Sequence, residues 1–376
     1  MYLKLIIVVL AAASFILTGC NKNQKTPNIP QECIVVNLKQ ENKIAFEDFF
    51  DFATFSYIQF EQNDTLVLSD DLTVKYADKL YFVYDAVIVQ LYVFNDKGQL
   101  VNKIGSSGGG PCEYNRILSF NIDTTQKTID VLTDIGNTIK TYNYTGNFVN
   151  SFTTPRTASD FAKINSKCYW LFTGFYDDSS YRLHLCDTNR VITSYLPTKA
   201  KSFDFSEQKF FGLGNKGLYR ESFLPTIYEY DSTCFKPAYY IDFGKSTITE
   251  EDLSKYIDPG IFLEKINREG VYTTIQALEN SSTVFIKTMY QKDDRITIYD
   301  FLINKCDGKI IKILHNKTSE ELSSTLSLVH IQENGKFHFK TSPIQLINFI
   351  SATSSANDFK IDPEGNTVML IVNSKY

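Results

Sequence analysis

The densest run of unusual residues lies at 104–114, Ile-Gly-Ser-Ser-Gly-Gly-Gly-Pro-Cys-Glu-Tyr. Consecutive glycines can aim backbone N–H groups at an anion or a sugar, with Glu113 as a charged acceptor and Tyr114 as a stacking ring. The run lacks the Gly-Lys-Ser/Thr ending of a P-loop, and no helix is expected after it, so phosphate cradling is unsupported. Glycine density favours a second reading, a tight crossover between two strands, because glycine alone tolerates positive φ without strain. Gly105, Gly108, Gly109, Gly110, Pro111, Glu113 and Tyr114 therefore form a candidate ligand or strand-crossover loop. The four histidines, His184, His315, His330 and His338, form no H-x-H, H-x-x-H or H-x-x-x-H pair, so no local zinc site is written. No G-x-S-x-G elbow occurs. Acidic pairs such as Asp70–Asp71 and Asp293–Asp294 read as turn residues. No catalytic set, metal site or cofactor is indicated.

The N-terminus bears on the compartment. Lys4 precedes an apolar run from Leu5 to Leu17, broken only by Ser14 and followed by Thr18-Gly19-Cys20. Thirteen apolar-run residues are short for a bilayer span and fit an export signal. The Leu-Thr-Gly-Cys ending resembles the lipobox of bacterial lipoproteins, which implies lipidation of Cys20 and a signal peptide over residues 1–19. Residues 20–32, polar with Pro27 and Pro30, read as a flexible tether. The expected location is the cell envelope, with the body at residues 33–376 held to a membrane by its lipid anchor. Cys33, Cys112, Cys168, Cys186, Cys234 and Cys306 have wide, irregular spacing without C-x-x-C, so buried free thiols are expected.

These residues must be positioned by a body of 43% hydrophobic, 22% charged and 14% aromatic composition. That excludes a disordered chain and a polytopic membrane protein, and a net charge of -5 argues against nucleic-acid binding. A unit recurs along the chain: Lys79–Asp85, Leu91–Gly98 and Gln99–Gly105 read as strand, strand, glycine turn, strand. Thr128–Asp134, Tyr142–Gly146 and Asn147–Phe152 repeat it, and weaker copies occur at 182–195, 226–244 and 295–314. Units of this kind at a period in the forties indicate four-stranded blades, none of which buries both faces alone. The expected architecture is all-β, a six-bladed β-propeller of four-stranded antiparallel blades. Strand 34–38 and strand 367–372 should complete the ring. Short helical insertions are predicted at 249–268, interrupted near Pro259-Gly260, and at 318–326.

The glycine run resembles the G-x-x-G-x-G-P-G-E-Y segment of six-bladed β-propeller lipoproteins common in Bacteroides and relatives, themselves similar to NHL-repeat propellers. Ile34–Leu38, Tyr239–Gly244 and Asn366–Val372 agree with it; Thr367 replaces the proline of that family's ending, and Cys112 replaces the second glycine of G-P-G-E-Y. The resemblance covers nearly all of the mature chain and implies fold and location more than function. If the glycine loop is a blade crossover, as its glycine density favours, Glu113 and Tyr114 lie where an inner strand begins, near one mouth of a central channel. Two functional classes follow: a non-catalytic module binding a glycan, peptide or envelope protein partner, or a lyase or hydrolase with its site in the central funnel.

Overall fold

The structure, a computed structural model, describes residues 30, 32–133, 135–174, 180–198, 207–256, 258–353 and 360–376. Cys20, the signal segment and nearly all of the tether lie outside them. The described strands form six antiparallel meanders arranged as the blades of a propeller. Their innermost strands are Leu72–Ala77, Ile117–Asp123, Asp160–Lys163, Phe210–Leu213, Val271–Glu279 and Ser327–Ile331, in blades 1 to 6.

The middle strands read as unbroken apolar runs because both of their faces pack on neighbouring blades. Tyr81–Tyr84, Leu91–Phe94 and Ile129–Leu132 are buried throughout. Outermost strands such as Leu100–Ile104 and Phe148–Thr153 are much more exposed. Each seam between blades holds one apolar cluster: Phe82, Val93, Ile122 and Val131 between blades 1 and 2, for example, and Trp170, Phe172, Phe210 and Tyr219 between blades 3 and 4. The glycines of the repeat sit in the turns between third and fourth strands, with φ of 79° at Gly98 and 88° at Gly146. A Cβ at Gly98 would stand 2.2 Å from the Gln59 carbonyl, so blade 6 packs directly on that turn.

Ring closure differs from the expectation. Strand Ile34–Asn37 belongs to the propeller but pairs in parallel with Phe235–Asp242, as a fifth, outer strand of blade 4. Lys43–Ala45 does the same to Ile310–Leu314 of blade 5. The strand that closes the ring is Ser56–Gln59, paired antiparallel with Val368–Asn373 of blade 6. The N-terminal segment thus passes along the outside of blades 4 and 5, completes blade 6 and then enters blade 1. Residues 249–268 form two helices, Glu250–Leu253 and Pro259–Glu269. Thr249 caps the first through a capping box. The break falls ahead of Pro259, which begins the second helix at N1 under the Asp258 cap, where its missing N–H is harmless. Lys317–Thr325 is the other expected helix. Helix Pro343–Thr353, unexpected, lies inside blade 6 and packs Leu346, Phe349 and Ile350 onto Phe46 and Phe49. None of the six cysteines from Cys33 onward is in a disulfide, and only Cys186 is buried, against the expectation of buried thiols throughout.

The pairing makes the two termini unequal. Removing residues 1–38 strips only the fifth strand of blade 4 and leaves every four-stranded meander whole, so a cooperative thermal transition should remain, lowered by a few degrees. Removing residues 366–376 takes out the strand between Lys336–Thr341 and Ser56–Gln59, and should abolish that transition in circular dichroism.

Candidate functional site

The glycine loop runs from the outermost strand of blade 1 to the innermost strand of blade 2 and is built inward on itself. Tyr114 is fully buried at this seam. Its hydroxyl donates to the Ile104 carbonyl (2.6 Å) and accepts from the Leu91 N–H (3.2 Å), and burial pushes the phenol well above its ordinary pKa. The Glu113 carboxylate folds back to accept the Gly110 N–H at 2.8 Å. Lys140 donates to the Glu113 carbonyl, and Tyr142 donates to that of Cys112 at 3.0 Å. The innermost strand starts at Ile117, so Glu113 and Tyr114 lie ahead of it, in the crossover itself. Gly105, at φ 58°, has no room for a side chain: a Cβ would meet the rings of Tyr114 at 2.8 Å and Tyr142 at 2.9 Å. At Gly108 a Cβ would strike the Glu113 carboxylate, whereas at Gly109 it would meet nothing within 4 Å. Pro111 and Cys112 are exposed at the tip.

The seams are fastened near the axis by polar side chains that reach the next blade's backbone. Lys75 of blade 1 donates to the Phe120 carbonyl of blade 2, and Asn121 of blade 2 to the Phe161 carbonyl of blade 3 (2.9 Å). Asp160 of blade 3 accepts the N–H groups of Lys209 and Phe210 at the head of blade 4 (2.7 and 3.2 Å). Arg220 of blade 4 donates to the Ile275 carbonyl of blade 5 (3.2 Å). Gln276 of blade 5 bonds both backbone groups of Leu328 in blade 6 (3.2 and 2.9 Å). Lys340 of blade 6 closes the circle on the Leu72 carbonyl of blade 1 (2.6 Å). Farther out, Arg182 of blade 3 is fully buried and holds two carboxylates, Glu221 of blade 4 (2.9 Å) and Glu250 of the helical insertion (2.8 Å).

The channel enclosed by these strands holds a cavity of about 670 Å³. Its wall is made by the innermost strands of blades 1, 5 and 6 and by blade 4, with Lys75, Tyr76, Arg220, Gln276, His330 and Lys340 among the side chains facing it. Burial, partly offset by Asp160, pushes the Lys75 ammonium down to about 8. Arg220 holds Glu207 at 2.6 Å, and this pairing keeps the carboxyl below its ordinary range despite burial. Tyr76 packs against His330 and His338 at ring separations of 5.2 and 4.6 Å. His338 bonds Tyr81 (2.8 Å) and Gln332 (2.7 Å), and burial lowers it to about 3, so it stays neutral. Among the described residues no group of three His, Cys, Asp or Glu is placed to hold a metal ion.

Residues 32–373 match the model of a family described as a domain of unknown function, DUF4934. The chain belongs to the DUF4934 family. A Bacteroides fragilis protein, a candidate exported protein, shares the fold with a TM-score of 0.74 at 17% identity, over 92% of the DUF4934 chain and all (100%) of its own. A DUF4221 family member from Bacteroides vulgatus matches with a TM-score of 0.52 at 10% identity, over 87% and 98% of the two chains. Both likenesses are of fold alone. No curated protein is similar in sequence.

The channel residues of this DUF4934 protein were not singled out by sequence reasoning, since Lys75, Arg220, His330 and Lys340 come from three blades and share no local spacing. A weak signal was present: a lysine or arginine inside an otherwise apolar strand, as in Leu-Thr-Val-Lys-Tyr-Ala at 72–77. In the glycine loop, Gly105→Ala should cost about 2 kcal/mol or more from positive φ and overpacking, while Gly109→Ala should be near neutral. Denaturant unfolding of the two variants checks this.

Proposed function

We propose that this propeller is an exported, lipid-anchored binding module of the cell envelope, with its ligand in the central channel and its anchor at Cys20. The observation that carries the reading is the cavity of about 670 Å³, of the size that takes a small ligand and lined by polar groups converging from separate blades. A rigid closed ring is suited to presenting such a site without rearrangement. Export is supported by the lipobox-like ending at Cys20, by the candidate exported neighbour, and by its kinship of fold with propellers from Bacteroides. The ligand class is a glycan or a peptide, and an envelope protein partner would dock on a propeller face. In this reading Gly105–Tyr114 is a structural crossover, and Glu113→Gln leaves ligand binding unchanged.

One observation favours the enzymatic alternative, a lyase or hydrolase in the funnel. Tyr76 and His330 face the cavity together, and burial lowers the His330 imidazole, leaving it neutral and able to accept a proton.

The test is to screen the full chain in detergent against glycan and peptide libraries, with product analysis of every hit. Binding without turnover, lost in a channel variant such as His330→Phe and kept in Glu113→Gln, is expected. A hit lost in Glu113→Gln at unchanged Tm would move the site to the loop, and cleaved product would establish the enzyme. In cells expressing the full chain, Cys20→Ser should leave the membrane fraction or fail to be processed; normal processing and membrane retention would contradict the anchor.

A further inference from the structure

We infer that the channel takes an acidic sugar, an oligosaccharide carrying uronate carboxylates, on the wall made by the innermost strand of blade 1. The inference rests on the channel being the ligand site. The chain as a whole is acidic, with a net charge of -5. The described lining of the cavity is the reverse, six lysine and arginine side chains against three glutamates. The acids are already engaged: Glu207 by Arg220 at 2.6 Å, Glu279 by Lys305 at 2.8 Å, and Glu333 by the Ser281 hydroxyl.

The surplus cations differ in how well they are satisfied. Lys287 donates to the carbonyls of Ser323 (3.0 Å) and Leu326 (2.8 Å), with Asp300 at 3.9 Å. Lys75 and Lys340 each donate to a single carbonyl, of Phe120 and Leu72, and among the described residues neither has a carboxylate in ion-pair range. An ammonium carries three donors. Two partly desolvated cations beside one strand, each short of acceptors, are the condition that a bound anion relieves. Lys75 belongs to that strand and Lys340 is tied to its first residue. Asp160 attracts Lys75 from blade 3, and Asp70 and Asp71 attract Lys340, in each case from beyond ion-pair distance. Next to Lys75, the partly exposed ring of Tyr76 supplies the apolar platform on which a pyranose face packs. That platform favours an acidic sugar over an acidic peptide.

Calorimetric titration of the full chain in detergent with tri-galacturonate, its methyl ester, neutral tri-galactose and tri-glutamate tests the inference. Tri-galacturonate should bind, esterification should weaken it about tenfold or more (about 1.4 kcal/mol), and added salt should weaken it further. Lys75→Gln and Lys340→Gln should each weaken it about tenfold. Both lysines also fasten seams, so Tm is read in parallel; the acid-against-ester comparison needs no variant. Ester or tri-galactose bound as tightly as the acid would overturn the inference and leave the channel as a ligand site. Tri-glutamate bound in preference to tri-galacturonate would overturn the sugar and keep the charge. Binding of none of the four would overturn the inference, while the library screen with His330→Phe decides the channel reading separately.

Discussion

The arrangement depends on the polar bond that each blade makes, near the axis, to the backbone of the next. Apolar packing between blades is strong but non-directional, and two flat sheet faces can slide or tilt with little change in buried area. A side chain reaching one named carbonyl or N–H across the seam removes that freedom. Lys75, Asn121, Asp160, Arg220, Gln276 and Lys340 do this at six successive seams, five as donors and Asp160 as an acceptor of two N–H groups. Each such bond contributes only about 1 kcal/mol net. Breaking one costs more, because a buried ammonium or carbonyl is then left without a partner. Register is therefore enforced by penalty as much as by attraction.

The same economy of residues shapes the channel. Four of the six side chains that fasten seams, Lys75, Arg220, Gln276 and Lys340, also line the cavity, so they serve the ring and the channel together. This accounts for a positive channel inside an acidic protein. It also means that stability and recognition are written on the same residues, while the outer strands carry the extra pairings of Ile34–Asn37 and Lys43–Ala45. Those additions cover edges that would otherwise be open to pairing with other chains. Arg182, with its two carboxylates, ties the helical insertion to blades 3 and 4, so that the departure from four-stranded regularity is held by charge within the propeller.

Much of the architecture was legible because a blade's middle strands must be apolar on both faces and its tight turns need glycine. Tyr81–Tyr84, Leu91–Phe94 and the glycines at 98, 146 and 308 announce the repeat, its period and its four-stranded unit. The innermost strands were less visible, because Leu72–Ala77 or Ile117–Asp123 mixes polar, charged and apolar residues to suit a seam on each side and a channel between. Closure was misplaced for a related reason: Ile34–Leu38 and Ser56–Gln59 are equally plausible short strands, and only three-dimensional pairing distinguishes a fifth strand from a closing one. The glycine loop drew attention by composition, yet the need for glycine is not uniform along it: a side chain at Gly105 would meet the rings of Tyr114 and Tyr142, whereas Gly109, in the middle of the run that stands out in the sequence, has open space beside it. The channel set was illegible for the plainest reason, that its members are gathered from different blades.

Native-state hydrogen exchange resolved by strand tests most directly whether the seam bonds make the ring one unit. If they do, the slowest amides of the six innermost and neighbouring strands should exchange with a single free energy, equal to that of global unfolding, and Asn121→Ala should lower all six blades by the same amount. A graded series of opening energies, with the change in Asn121→Ala confined to blades 2 and 3, would contradict the account and describe a stack of independent blades instead.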